Sequence, residues 1–195
     1  MPIQNPALLA DLEALGARHD ADTIDHAERL LNITRDTGEF LSVLVRAAGA
    51  TRVLEIGTSN AYSTIWLAEA AKVNGGRVTT VERIPAKAAL ARGTLGRAVG
   101  IAPVTLEVGD GGEFLAHCAN ASWDLIFLDS NRTQYADWWP DIRRALAPGG
   151  LLVVDNATSH PDEVAPLVAA IAEAPEFTTV LVPIGKGEFL AHKGV

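Results

Sequence analysis

From Arg52 onward the chain alternates short apolar runs with stretches of helical periodicity, and no other feature limits the fold so strongly. The runs Val53–Ile56, Val78–Val81, Val104–Val108, Leu125–Leu128 and Leu151–Val154 read as buried strands. Helical patterns lie between and after them, near Ala61–Lys72, Pro85–Val99, Gly112–Asn120, Gln134–Leu146 and Pro161–Ala174. Strands that are apolar on both sides need cover on both faces, so the pattern predicts an α/β fold with a mostly parallel sheet between helical layers. The end of the chain differs. Phe177–Pro183 and Glu188–His192 are joined by Ile-Gly-Lys-Gly, too short for a crossover helix, which predicts a C-terminal antiparallel hairpin and seven strands in all.

The first fifty residues read as a short helical extension. Asn5 is placed to cap a helix running to Gly16, Asp22 a second running to about Leu31, and Thr37 to begin a third that Gly49 ends. No repeat, low-complexity stretch or linker divides the 195 residues, so the chain is expected to be one domain, 1–195.

Composition excludes several functions. Acids outnumber bases 24 to 16, a formal charge of −8, which argues against a protein that grips phosphate backbones. The lone Cys118 excludes an intrachain disulfide and a thiolate cluster, and fits the cytoplasm. No apolar run is long enough to span a membrane, and the N-terminal stretch lacks the pattern of a signal peptide.

The chemistry concentrates at strand ends. The first strand runs into Gly57-Thr58-Ser59-Asn60-Ala61-Tyr62-Ser63, a turn with one glycine and several hydroxyls at a helix N-terminus. The next strand ends in Glu82, where a carboxylate can accept both hydroxyls of a ribose. Together they suggest a nucleoside-containing cofactor. The turn lacks the three-glycine fingerprint of a dinucleotide site, which sets a nicotinamide oxidoreductase far behind.

Asp129 follows a later strand, and Asp155 with Asn156 the one after it. One helix separates the two strands, so they are adjacent and parallel, and their ends lie about 5 Å apart. Two carboxylates and an amide make a hard-oxygen half-site, suited to Mg²⁺ first, with Ca²⁺ or Mn²⁺ as further candidates.

These residues carry a resemblance. Val-Leu-Glu-Ile-Gly-Thr-Ser-Asn-Ala-Tyr-Ser-Thr (Val53–Thr64) resembles motif I of class I S-adenosylmethionine-dependent methyltransferases. With Asn32–Leu41, Thr80–Arg83, Asp124–Tyr135 and Ala147–Asn156, the chain is similar to the cation-dependent O-methyltransferases of the catechol and caffeoyl-CoA type. The resemblance implies a Rossmann-like methyltransferase fold and S-adenosyl-L-methionine as cofactor. It implies contacts to the methionine part from Ile33, Thr34, Glu55, Gly57, Thr58 and Ser63, to the ribose from Glu82 beside Arg83, and to the adenine from Gly109 and Asp110. A plainer role for Asp110 is to cap the helix that follows. Asp129, Asp155 and Asn156 would bind the metal, Asp129 also facing the cofactor, and the molecule would be a homodimer acting on a small hydroxylated acceptor.

Two departures bear on the chemistry. The family commonly carries a lysine as general base three residues after the first metal aspartate, where this chain has Arg132, which cannot accept a proton. Arg132 can still stabilise a phenolate, or simply form a surface salt bridge, and His160 is a second candidate base beside Pro161. The chain also lacks the long insertion that the plant caffeoyl-CoA type carries after the Asp-Asn pair, and Phe177–Gly185 carries no acid to match the one that grips the second hydroxyl in the catechol enzymes. The expected activity is metal-assisted O-methylation of a catechol-like molecule. The rivals are a metal-independent or N-directed methyltransferase, and a cofactor-binding protein without catalysis.

Overall fold

The computed structural model describes residues 3–195. The apolar runs form β1 (Arg52–Ile56), β2 (Arg77–Glu82), β3 (Val104–Val108), β4 (Trp123–Leu128) and β5 (Leu146–Val154). The hairpin supplies β6 (Phe177–Val182) and β7 (Glu188–Lys193). They make one seven-stranded sheet in the order β3-β2-β1-β4-β5-β7-β6, in which only β7 runs against the rest. The helices are α1 (Pro6–Asp22), α2 (Arg35–Ala47), α3 (Tyr62–Val73), α4 (Pro85–Arg97), α5 (Gly111–His117), α6 (Tyr135–Ala145) and α7 (Pro161–Ala172).

The central strands are mostly apolar because alternate residues enter different cores, whereas β3 and β6 at the edges of the sheet are largely exposed. Val53, Val78, Leu125, Phe127 and Val153 pack with α1, α2 and α3 on one face. Leu54, Val81, Ile126, Leu128 and Val154 pack with α5, α6 and α7 on the other. Trp139 belongs to this second core, edge-on to Phe177 at 5.0 Å between ring centroids. Among the described residues no helix is long and apolar enough to cross a membrane.

The N-terminal extension departs from expectation. α1 passes through Gly16, where the missing side chain lets Asn32 pack so closely that a Cβ would lie 2.7 Å from its Nδ2. The helix expected over Asp22–Leu31 does not form. The Asp20 carboxylate instead accepts the backbone N–H groups of Leu30 (2.6 Å) and Leu31 (2.8 Å), which ties the irregular stretch, with its turn at 26–28, back to the end of α1. Asn5 makes no side-chain cap; its amide donates to Glu69 Oε1 (2.7 Å) and to the Val99 carbonyl (2.9 Å), tying α1 to the body. α2 begins at Arg35, capped by Thr34 rather than started by Thr37, which is fully buried and donates to Glu188.

Candidate active site

Four parallel strands, β1, β2, β4 and β5, present their carboxyl ends to one cleft of 590 Å³, whose wall also includes Leu30–Ile33. This is where an open α/β sheet binds ligands, because the loops diverge from the strand ends. Of the expected cofactor residues, Ile33, Gly57, Thr58, Ser63, Glu82, Arg83 and Asp110 line the cleft. Asp129, Arg132, Asn156 and His160 line it as well. Thr34 faces a neighbouring groove of 320 Å³. Glu55, Gly109 and Asp155 are not part of the cleft wall.

Glu55 sits behind the first turn instead. It is wholly buried and accepts the hydroxyls of Ser63 (2.5 Å), Thr64 (2.5 Å) and Thr80 (2.6 Å), so it joins β1 to α3 and β2. Burial pushes its carboxyl up to about 7 in spite of those three donors. The close approach at Gly57 is also to protein. With φ at +107°, a Cβ there would lie 1.9 Å from the Asp129 carbonyl oxygen. Gly57 thus permits the first turn to pass against the turn that carries Asp129.

Glu82 is nearly buried and aimed into the cleft. Its two oxygens accept one backbone N–H each, from Ser59 (2.8 Å) and Ile84 (2.8 Å), which fixes the carboxylate and leaves lone pairs for two ligand hydroxyls. Asn60 was not singled out in the sequence. It has no exposed surface, lines the cleft, and its Nδ2 has no partner, as is true of the buried Ser130 Oγ. Buried polar atoms left unpaired at a cleft wall fit a polar cofactor that would complete them. Asp110 does both things weighed for it: it caps α5 through the N–H groups of Gly112 (2.8 Å) and Glu113 (3.1 Å), and it borders the cleft. Trp138 forms part of the wall and packs against Gly112, where a Cβ would lie 2.3 Å from its Nε1.

At the other end of the cleft, the Asn156 amide joins the two aspartates. Its Nδ2 lies 3.3 Å from Asp129 Oδ1 and donates to Asp155. Asn156 holds φ at +68°, a region that asparagine tolerates better than most residues. Burial, the Asp155 charge and the Glu55 charge push the Asp129 carboxyl well above its ordinary range. Behind Asp155 the sequence reading missed a further acid. Glu188, at the start of β7, has no exposed surface; Thr37 Oγ1 donates to one oxygen (3.1 Å) and the other has no partner. Burial and the adjoining Asp155 push it up to about 10. The all-oxygen donor set, with an orphaned carboxylate oxygen beside it, fits a hard divalent cation. Among the described residues no three His, Cys, Asp or Glu side chains form a metal cage, so such a centre needs the Asn156 amide as its third donor.

Arg132, in the 3₁₀ turn that follows Asp129, is held by Glu163 of α7, with Nε 2.8 Å from Oε2. His160 stands just before α7, its Nδ1 2.9 Å from Ser159 Oγ.

A sheet of this order, with acids at the ends of β2, β4 and β5 and a hydroxyl-rich first turn, defines the class I S-adenosylmethionine-dependent methyltransferases. Known proteins resolve the class further. A family profile described as O-methyltransferase matches residues 9–194. Catechol O-methyltransferase of Mycobacterium tuberculosis is 38% identical over 152 residues, which is 76% of this chain and 67% of that protein. Catechol O-methyltransferase of Niastella koreensis is 33% identical over 129 residues, 65% of this chain and 58% of that one. The match to this second relative thus spans less than two thirds of its length. The solved structure of the O-methyltransferase TomG from Streptomyces achromogenes, in complex with SAM, superposes with a TM-score of 0.81 at 27% identity, covering 100% of this chain and 93% of that one. The chain belongs to the O-methyltransferase family.

Proposed function

We propose that the chain transfers the methyl group of S-adenosylmethionine to a hydroxyl of a small, catechol-like aromatic acceptor, assisted by a divalent cation for which Mg²⁺ is the first choice. The observation that carries this reading is the pairing within one cleft of a fixed ribose-type carboxylate, Glu82, with Asp129 and Asn156, which the buried Asp155 backs through the Asn156 amide. The catechol O-methyltransferase names of two relatives support the acceptor class.

Glu82 would hold the ribose hydroxyls, and Asn60 and Ser63 would meet the methionine part, so that the sulfonium points toward Asp129. Asp129, Asp155 and Asn156 would hold the cation, which when bound supplies the charge that acidifies a phenolic hydroxyl. In the transfer the acceptor oxygen forms a bond to the methyl carbon while the carbon–sulfur bond breaks, its electron pair going to sulfur. Arg132 keeps its proton and can only add positive charge. A metal-independent or N-directed transfer is the second reading, favoured by Arg132, which is engaged by Glu163 where the family commonly has a lysine. From the resemblance and the lone Cys118, we read the chain as one domain that works in the cytoplasm as a homodimer.

Calorimetry tests the cofactor half. The protein should bind S-adenosylmethionine and not NAD, and Glu82→Ala should weaken binding about 30-fold or more, the loss expected for hydrogen bonds to a fixed charge. An unchanged dissociation constant in the variant would remove Glu82 from the site.

A further inference from the structure

Arg132 stands where a family lysine would serve the acceptor, but its side chain is only 17% exposed and is tied to Glu163. A lysine reaches the same cleft from another element. Lys186 lies in the Ile184–Gly187 turn between β6 and β7, and this turn has little slack. The Lys186 carbonyl accepts from Thr158 Oγ1 (2.6 Å) and from the N–H groups of Thr158 and Ser159 (3.1 Å each). On one side Gly185 (φ +56°) sits so tightly that a Cβ would lie 2.1 Å from Thr37 Oγ1. On the other, Gly187 (φ +91°) is pressed against Thr158 just as closely.

The fixed backbone delivers the side chain to the acceptor end of the cleft. Lys186 lines the 590 Å³ cleft together with Asp129, Asn156 and His160, and it also borders the adjoining groove near Glu13 and Arg35. It is half-buried, and among the described residues its ammonium enters no ion pair. A half-buried cation with no carboxylate of its own, at the wall of a cleft rich in acids, is available to an anionic ligand atom.

We propose that Lys186 is a catalytic residue whose ammonium pairs with the ionised oxygen of the acceptor. This rests on the reading of the chain as an O-methyltransferase. The acceptor hydroxyl gives its proton to solvent before the transfer. Oxygen then bonds the methyl carbon, the carbon–sulfur bond breaks, and the products are a methyl ether and S-adenosylhomocysteine. Lys186 stays protonated throughout. Its benefit is the larger share of ionised acceptor at neutral pH, which Arg132 is too far engaged to provide.

The probe is 4-nitrocatechol, whose visible absorbance reports its own ionisation. It is titrated in complex with the protein, S-adenosylhomocysteine and Mg²⁺, for the wild type, Lys186→Met and Lys186→Arg. Lys186→Met should shift the bound probe's ionisation up by about one pH unit, a tenfold loss of phenolate at a given pH. The pH profile of kcat/KM for catechol should move by the same amount. Lys186→Arg, which keeps the charge, should stay within about threefold of wild type. Equal ionisation of the probe in wild type and Lys186→Met overturns the proposal while leaving the O-methyltransferase reading intact. A wild type that neither binds the probe nor methylates catechol overturns that reading, and this proposal with it.

Discussion

Asp155→Ala is expected to lower kcat/KM for a catechol acceptor by about 1000-fold, the scale of losing a charge-stabilising group that acts in the transition state. S-adenosylmethionine should still bind within about threefold, because Asp155 is not part of the cleft wall that holds the cofactor. The fold should survive. Asp155 is buried next to Glu188, which burial and the Asp155 charge push up to about 10. Glu188 is thus protonated at neutral pH, and Asp155→Ala removes its hydrogen bond to Asp155 but also a buried carboxylate, so the melting temperature of the variant should not fall by more than about 3 °C, roughly 1 kcal/mol for a chain of this size. Steady-state kinetics, cofactor calorimetry and a thermal melt together check the three parts. Near-normal kcat/KM would take Asp155 out of the chemistry, and a collapsed melting temperature would make its role structural.

Gly57→Ala should act in the opposite way, through the scaffold. The alanine would have to adopt φ near +107° with its methyl group 1.9 Å from the Asp129 carbonyl oxygen, so the first turn and the Asp129 turn must separate. Backbone strain and overlap together should cost about 4 kcal/mol, or roughly 10 °C in melting temperature. Cofactor binding and turnover should both be lost, because Asp129 and the turn that positions Glu82 move apart. Gly93→Ala is the control. Gly93 lies in α4 with nothing within 4 Å of a built Cβ, so the same substitution there should raise stability by about 0.5–1 kcal/mol. If Gly57→Ala melts and binds as the wild type does, the contact between the two turns is not what selects glycine.

The sheet was legible in the sequence because strands packed between two cores must be apolar at every position, and Leu125–Leu128 and Leu151–Val154 are. The hairpin was legible from the brevity of Ile-Gly-Lys-Gly. What escaped depended on distant partners. Asp22 looked like a helix cap, but Asp20 captures the amides of Leu30 and Leu31, and an irregular stretch that lines the cleft stands in place of the helix. Glu55 looked like a ligand-facing acid, yet three hydroxyls from α3 and β2 close around it. Glu188 lies three residues beyond Phe177–Gly185, the acid-free stretch of the sequence. The one available signal was strand alternation, which sets Glu188 in phase with the buried Leu190. Lys186 was passed over because two flanking glycines read as a loop, and only the fold shows that Thr37 and Thr158 pin that loop against the site.

In the function proposed, this cleft aligns S-adenosylmethionine with a phenolic acceptor next to a cation held by Asp129, Asp155 and Asn156. The most direct measurement is transfer of isotope-labelled methyl from S-adenosylmethionine to catechol by the purified protein, run in parallel with Mg²⁺ and with excess chelator. A labelled monomethyl ether should form with Mg²⁺, and the rate should be at least about 100-fold lower with chelator. Equal rates in the two reactions, or label on no acceptor in either, would contradict it.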